Sequence, residues 1–233
     1  MNRSKFEVLA CEDTKLGLLI LRRRELLSRP GRIVTEITLN HEFLMSSYIT
    51  LSERSLAQHA LALHPGRDLN VLVGGLGLGY TAHEVVVAGG ERVARVEVVE
   101  FLPEVIEWVG RDLVPLSGEL LADERLVLVE GDVYDRLSRP PEQKYDLILI
   151  DVDHSPDEHL GDANADFYTE AGLRRASAHL ADSGILAVWS YAEHSPFATA
   201  LRSVFNDVRV EPVTVVNDLV DEEQTDWLFF ARN

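Results

Sequence analysis

Apolar and polar positions follow two different periods along the middle of the chain. Short apolar runs, of the kind buried on both faces of a parallel sheet, occur at 70–73, 96–99, 126–130, 147–151 and 185–190. Between them, apolar residues recur at helical spacing at 81–88, 103–112 and 171–180, and a short helix follows Asp132. Strands that alternate with helices predict a parallel α/β sheet with right-handed crossovers.

The two ends of the chain depart from this alternation. β-like runs predict a small antiparallel sheet at 6–10, 16–22, 33–39 and 42–45, and a helix at 53–63 follows. After a helix at 196–205, two further strands at 208–216 and 226–231 predict an antiparallel hairpin at the sheet edge. We therefore expect a β-rich N-terminal domain over residues 1–52 and an α/β domain over 53–233.

A glycine-rich turn follows the first buried run of the α/β domain, with the sequence GGLGLG at 74–79. Glycines permit positive φ and let a ligand approach backbone N–H groups. The next helix has Thr81 as its predicted cap, and the next strand ends at Glu100, whose carboxylate can accept hydrogen bonds from both ribose hydroxyls. A glycine turn alone can be purely structural, but this order of elements favours a nucleoside-binding crevice.

Composition narrows the class of partner. The chain has 233 residues, of which 46% are hydrophobic and 26% charged, as in soluble globular proteins. A net charge of -17 disfavours nucleic acid as the main partner and suits a cationic substrate, although acidity also serves solubility. Cys11 is the single cysteine, and we find no signal-peptide core or membrane-spanning run. We expect a cytoplasmic protein with no membrane partner.

The order of these features resembles a known fold. Seven strands ending in a hairpin, GxGxG after the first, an acid after the second and Gly131-Asp132 after the third are similar to class I S-adenosylmethionine-dependent methyltransferases, which have a Rossmann-like sheet. The N-terminal β-rich piece and the segments LNHEFLMSS and YDLILIDVDHSP further resemble the spermidine synthase family. The resemblance implies a transferase that binds S-adenosylmethionine or its decarboxylated form. We also expect a small-molecule acceptor, with an amine among the candidates, and a homodimer.

The same resemblance assigns the cofactor-binding residues, which follow the carboxyl ends of the first four parallel strands: Gly75, Gly77, Gly79, Glu100, Phe101, Asp132, Val133 and Asp151. The glycines would line the methionine-like part of the donor, and Glu100 would hold the ribose. Asp132 would accept a hydrogen bond from the adenine amino group, cap the helix that follows it, or do both. Phe101 and Val133 would flank the adenine ring.

The candidate catalytic residues lie in the run from Asp151 to Pro156. In aminopropyltransferases the matching motif is D-S/T-S/T-D-P, and its first aspartate helps to accept the proton of the attacking amine. Here the first acid is kept, but a histidine holds the fourth position. Asp151, Asp153 and His154 are therefore the candidate bases. His154 suits neutral pH best, although a solvent-facing loop histidine is an equally good interpretation.

Other departures from the spermidine synthase pattern concern the amine groups. The glycine-turn aspartate that contacts the amine of the aminopropyl donor corresponds to Leu78, and the substrate glutamine falls at about Leu44. An apolar side chain cannot hold an ammonium group, so these changes favour methyl transfer to an unidentified small acceptor. Aminopropyl transfer remains the alternative, and a catalytically inactive nucleoside-binding homologue is the second alternative.

Several residues outside these motifs are weaker candidates. Tyr191, after the fifth strand, and Tyr168, in the loop after Asp151, are predicted to touch the substrate. The spacing of His59, His64 and His159 matches no common metal site, so we expect no metal.

Overall fold

The computed structural model describes residues 6–152, 154–158, 162–217 and 222–233. The candidate base Asp153 and the histidine His159 lie outside these ranges. The predicted α/β class, with an N-terminal β-rich sheet and a C-terminal hairpin, is confirmed.

The described N-terminal strands form a four-stranded antiparallel sheet in the order β1-β2-β3-β4. Their bounds are β1 Phe6–Thr14, β2 Gly17–Glu25, β3 Ile33–Leu39 and β4 Glu42–Ser46. Asn40 and His41 form the tight turn between β3 and β4 and have φ values of 51° and 71°. Arginines 22–24 lie on β2, which is an inner strand, and Arg22 and Arg24 both pair with the buried carboxylate of Glu36. Arg22 and Arg24 therefore link β2 to β3 through Glu36.

The described part of the α/β domain contains a seven-stranded sheet in the order β10-β11-β9-β8-β5-β6-β7. The strands are β5 Leu69–Gly74, β6 Val93–Glu100, β7 Leu126–Glu130, β8 Tyr145–Ile150, β9 Leu180–Ser190, β10 Asp207–Asn217 and β11 Glu222–Arg232. Strands β5 to β9 are parallel, whereas β11 runs antiparallel to β9 and β10. The chain builds the sheet in one direction from β5 to β7 and in the other from β8 onward, so the strand order reverses between β5 and β8.

Helices cover both faces of this sheet in the described residues. They are α1 Leu51–Leu63, α2 Tyr80–Gly89, α3 Pro103–Gly110, α4 Ser117–Ala122, α5 Val133–Ser138, α6 Glu170–Ala178 and α7 Ser195–Val204, with 3-10 turns at Gly90–Arg92 and Asp162–Tyr168. Helix α4 was not predicted, because six residues are too few to show a helical period. No described helix combines the length and apolar character needed to cross a membrane.

Two hydrophobic cores hold these layers together. One lies on the side of α1, α2 and α3 and continues into the N-terminal sheet through Leu19, Leu21 and Ile37. The other lies on the side of α5, α6 and α7 and includes Leu72 of β5 and Phe229 of β11. Because the first core is continuous, the N-terminal sheet is fixed against the carboxyl edge of the large sheet.

The central position of β5 leads to a prediction about stability. Leu72 is 0% exposed, so Leu72→Ala should lower the free energy of unfolding by about 2–5 kcal/mol in urea denaturation, through lost burial and a residual cavity. Leu27 is 91% exposed, and Leu27→Ala should change stability by less than about 0.5 kcal/mol. Equal effects of the two variants would contradict the placement of β5 at the centre of the domain.

Candidate functional site

A cavity of about 400 Å³ opens at the carboxyl edge of the large sheet, where the strand order reverses. In open α/β sheets this point is where ligands bind, because adjacent strand ends diverge there and leave a crevice. The loops after β5, β6, β7 and β8 form its floor. Apolar residues of the N-terminal sheet form the opposite wall: Leu16, Leu19, Ile37, Phe43, Leu44 and Met45.

The glycine turn is enclosed on two sides. Gly75 has a φ of 89°, and a Cβ added there would lie 2.2 Å from the carbonyl oxygen of Asp151. Gly77 has a φ of 51°, and its added Cβ would lie 2.5 Å from Sδ of Met45. The obstructing atom at Gly75 is backbone, so only glycine fits there, whereas Met45 is a flexible side chain that packs against Gly77.

Glu100 lies at the end of β6 beside this turn. It lines the cavity but is only 8% exposed. Its Oε2 accepts a hydrogen bond from the backbone N–H of Leu76 and its Oε1 accepts one from that of Leu102, both at 2.8 Å. Burial raises the pKa of Glu100, and the backbone N–H donors oppose that rise. The backbone N–H groups of Gly77 and Phe101 also donate to this carboxylate, and its role toward the ribose stays a prediction.

The predicted adenine side of the crevice follows β7. Asp132 is the N-cap of α5, and its Oδ1 accepts from the backbone N–H groups of Tyr134 at 2.8 Å and Asp135 at 3.2 Å. Because both bonds use Oδ1, the Oδ2 atom of Asp132 is available to a ligand. The structure thus shows that Asp132 caps α5, whereas its contact with an adenine stays a prediction. Val133 and Phe101 line the same end, and Nζ of Lys15 lies 3.4 Å from the centroid of the Phe101 ring.

The opposite end of the cavity is acidic. Asp151 follows β8, Glu53 lies in the first turn of α1, and Asp226 lies on β11. The hydroxyl of Thr81 donates to Oδ2 of Asp151 at 2.5 Å, and the hydroxyl of Ser52 donates to Oδ2 of Asp226 at 2.6 Å. Sequence patterns did not identify Glu53 or Asp226, because neither belongs to a strand end or a motif.

Burial and mutual repulsion change how these carboxylates ionise. Burial is the main cause that raises the pKa of Glu53 to about 8, and the charges of Asp151 and Asp226 add to it. Burial also raises the pKa of Asp151 to about 6, with Asp226 contributing and the Thr81 hydrogen bond opposing. The cluster therefore retains protons near neutral pH, and a cation placed beside it would favour their release.

Carboxylic acids dominate the charged residues of the described cavity lining. Among the described lining residues, five are carboxylic acids and none is a lysine or an arginine. Trp189 lines the cavity as well, and its Nε1 is shielded from solvent with no hydrogen-bond partner in the described part of the chain. The described lining therefore suits a ligand with positive charge, and it contains no lysine or arginine that could neutralise a carboxylate on the ligand.

Most of the predicted residues meet at this cavity. The described lining contains Gly75, Gly77, Glu100, Phe101, Asp132, Val133, Asp151 and His154. Leu44 lines it too, but the side chain of Leu78 is 0% exposed in the core and is absent from the lining. The side chain of Leu78 therefore does not contact a ligand in this cavity, which agrees with its apolar character.

Four predictions need correction. Thr81 is not the cap of α2: Gly79 is the N-cap, and Thr81 binds Asp151. Gly79 also does not line the cavity, because its open side packs against Leu120, where an added Cβ would lie 2.5 Å from Cδ1.

The two tyrosines predicted to touch a substrate also lie outside the described lining. Tyr191 extends away from it and donates its hydroxyl proton to Glu158 at 2.5 Å. Tyr168 packs among aromatic rings behind the site, with its hydroxyl 3.0 Å from that of Tyr134. Both side chains hold neighbouring segments together.

The enclosed glycine turn leads to a prediction with a matched control. Gly75 and Gly31 both have a φ of 89°, but nothing lies within 4 Å of a Cβ added at Gly31. Gly31→Ala should cost about 1 kcal/mol of backbone strain. Gly75→Ala should cost more and should abolish the binding of methylthioadenosine, measured by calorimetry. Similar stability and binding in the two variants would contradict the close approach of the turn to Asp151.

The raised pKa of Glu53 predicts how stability depends on pH. Its pKa is about 8 in the folded protein and 4.5 in the unfolded chain, so between these values folding takes up a proton. The contribution of this group to stability therefore falls as pH rises from about 4.5 to about 8. Glu53→Gln should remove that slope and raise the free energy of unfolding at pH 9 by about 1–3 kcal/mol.

Urea denaturation at pH 6 and pH 9 measures this difference. Glu107→Gln on the exposed side of α3 is the control, and it should keep the wild-type slope. An unchanged slope in Glu53→Gln would show that Glu53 ionises normally in the folded protein.

Comparison with known proteins gives fold neighbours only. No family model matches the chain, and no curated protein matches its sequence. A solved spermidine synthase in complex with the transition state analogue AdoDATO aligns with a TM-score of 0.75 at 19% identity, covering 96% of this chain and 73% of that one. Spermidine synthase from Thermotoga maritima aligns with a TM-score of 0.73 at 18% identity, covering 96% and 71%.

A third solved structure aligns with a lower TM-score and over less of this chain. Precorrin 8W decarboxylase from Methanobacterium thermoautotrophicum aligns with a TM-score of 0.52 at 18% identity and covers 77% of this chain and 90% of that one. The alignments with the two spermidine synthases thus extend over more of this chain. The chain therefore has a spermidine synthase-like fold.

Proposed function

We propose that the protein transfers an aminopropyl group from decarboxylated S-adenosylmethionine to an amine. The observation that carries this proposal is the charge of the cavity, whose described lining has five carboxylic acids and no lysine or arginine. The fold neighbours support the same reaction class, since both are spermidine synthases. Methyl transfer, which the sequence favoured, has no comparable support.

The charge of the cavity bears on the choice of donor. S-adenosylmethionine carries a carboxylate next to its amino group, and burying that carboxylate beside Asp151 and Glu53 without a cationic partner would cost free energy. The decarboxylated donor lacks this group and keeps its ammonium and sulfonium charges. An acidic cavity therefore selects the decarboxylated donor by repulsion as well as by attraction.

The chemical step requires a free amine lone pair. The acceptor nitrogen attacks the aminopropyl carbon that is bonded to sulfur, a C–N bond forms, and the C–S bond breaks. The sulfur keeps the electron pair and leaves as the neutral thioether of methylthioadenosine. The nitrogen becomes positively charged and passes its proton to a base. Asp151 suits this role, because its pKa of about 6 lets it lose its proton near neutral pH and take one up again.

Product analysis tests the proposal. The protein is incubated with each of the two donors and with a set of amines that includes 1,3-diaminopropane, 1,4-diaminobutane and spermidine. We expect methylthioadenosine and an aminopropylated amine from the decarboxylated donor, detected by mass spectrometry. S-adenosylhomocysteine formed from S-adenosylmethionine would instead support methyl transfer. Binding of methylthioadenosine without turnover of either donor would support an inactive homologue.

The role of Asp151 gives a mutational prediction. Asp151→Asn should lower kcat about 10²–10⁴-fold, since it removes the proton acceptor, and should change methylthioadenosine affinity little. In the wild type, kcat should rise with pH through about 6 as Asp151 loses its proton. Asp182→Asn, on an exposed position of β9, is the control and should keep wild-type turnover. Full activity of Asp151→Asn would exclude Asp151 as the base.

A further inference from the structure

We infer that Glu53 binds the aminopropyl ammonium group of the donor, and that it is therefore the residue that determines donor specificity in this chain. This inference rests on the proposed function. It assigns a role to a residue of α1 that no sequence motif identified.

The glycine turn cannot bind this group through a side chain. Residues 74–79 are glycines and leucines, so the turn contains no polar side chain. Leu78 is 0% exposed in the core, and its backbone N–H donates to Sδ of Met45 at 3.3 Å. An ammonium group beside the turn must therefore find its counter-charge on another element.

Four of the five lining acids already have strong or multiple donors. Glu100 and Asp132 accept from backbone N–H groups at the nucleoside end. Asp151 accepts from the hydroxyl of Thr81 at 2.5 Å. Asp226 accepts from Ser52 at 2.6 Å through Oδ2 and from Gln224 at 3.3 Å through Oδ1.

Glu53 is the exception. Ser52 lies 3.3 Å from Oε2 of Glu53, but its hydroxyl has one proton and lies closer to Asp226. The other donor near the Glu53 carboxylate is its own backbone N–H. Among the described lining residues, Glu53 is thus the acid with the weakest set of donors, and a partly buried carboxylate of this kind is stabilised by a cationic partner.

The position of Glu53 also fits the donor. Its backbone carbonyl lies 3.4 Å from the hydroxyl of Thr81, which lies in the first turn of α2, directly after the glycine turn. Glu53 is therefore on the side of the cavity where the donor is expected, whereas Asp226 lies on β11. The raised pKa of Glu53 has the corresponding consequence that an incoming ammonium group displaces a proton from the cluster.

Binding of two nucleosides can distinguish recognition of the ammonium group by Glu53 from a general effect of Glu53 on the crevice. Decarboxylated S-adenosylmethionine carries the aminopropyl ammonium and the sulfonium charge, whereas methylthioadenosine has the same adenosine and sulfur but neither charge. Glu53→Gln keeps the size of the side chain and removes its charge. We expect this variant to bind the decarboxylated donor about 10–100-fold more weakly, the effect of one charge-assisted hydrogen bond, and to bind methylthioadenosine within about twofold of wild type.

Two further variants serve as controls. Glu53→Asp retains a carboxylate on a shorter side chain and should show an intermediate preference for the donor. Glu107→Gln removes an exposed acid of α3 and should bind both nucleosides as the wild type does.

The outcomes distinguish this inference from the proposed function. If the wild type prefers the decarboxylated donor and Glu53→Gln keeps that preference, the ammonium group binds elsewhere; the inference is then wrong, and the proposed function stands. If Glu53→Gln weakens both nucleosides equally, Glu53 supports the crevice and does not select the donor. If the wild type binds neither nucleoside, the proposed function fails, and the inference fails with it.

Discussion

The close approach of the glycine turn to the end of β8 fixes the centre of the site. The backbone of Gly75 passes so near the carbonyl oxygen of Asp151 that a Cβ would lie 2.2 Å from it. This contact brings together the two strand ends between which the sheet order reverses. Glu100 and Asp132 therefore line the same cavity as Asp151.

The cavity combines two electrostatic environments. At the predicted nucleoside end, Glu100 and Asp132 accept hydrogen bonds from backbone N–H groups, which orient the two carboxylates. At the other end, burial and neighbouring carboxylates raise the pKa values of Glu53 and Asp151. The first environment suits neutral, hydroxyl-bearing ligands and the second suits cations. A donor with an adenosine at one end and positive charges at the other matches both.

The sequence predicted the parts of this architecture that depend on local patterns. Buried strands are recognisable as apolar runs, and Glu100 and Asp132 follow from their positions at strand ends, because parallel strands present those ends at one edge. Glu53 and Asp226 could not be found in this way. They lie on α1 and β11, far apart in the sequence, and only tertiary packing brings them to Asp151.

The directions in which predicted site residues face also depend on tertiary packing. Tyr191 follows β9 at the correct edge, but its hydroxyl binds Glu158 outside the described lining, and sequence position does not specify that direction. Gly79 belongs to the glycine turn but faces Leu120 of α4, a helix too short to predict. The loss of the glycine-turn acid at Leu78 pointed away from an amine donor, whereas the structure supplies acids from other elements.

If the acidic cluster of Glu53, Asp151 and Asp226 is a cation site, binding of a cationic donor near neutral pH must displace the proton that Glu53 retains there. Calorimetric titration near pH 7, in buffers of different ionisation enthalpy, measures the protons exchanged on binding. A cation site of this kind predicts that decarboxylated S-adenosylmethionine releases protons when it binds, whereas methylthioadenosine releases none. Binding of both ligands without proton exchange, or with equal exchange, would contradict it.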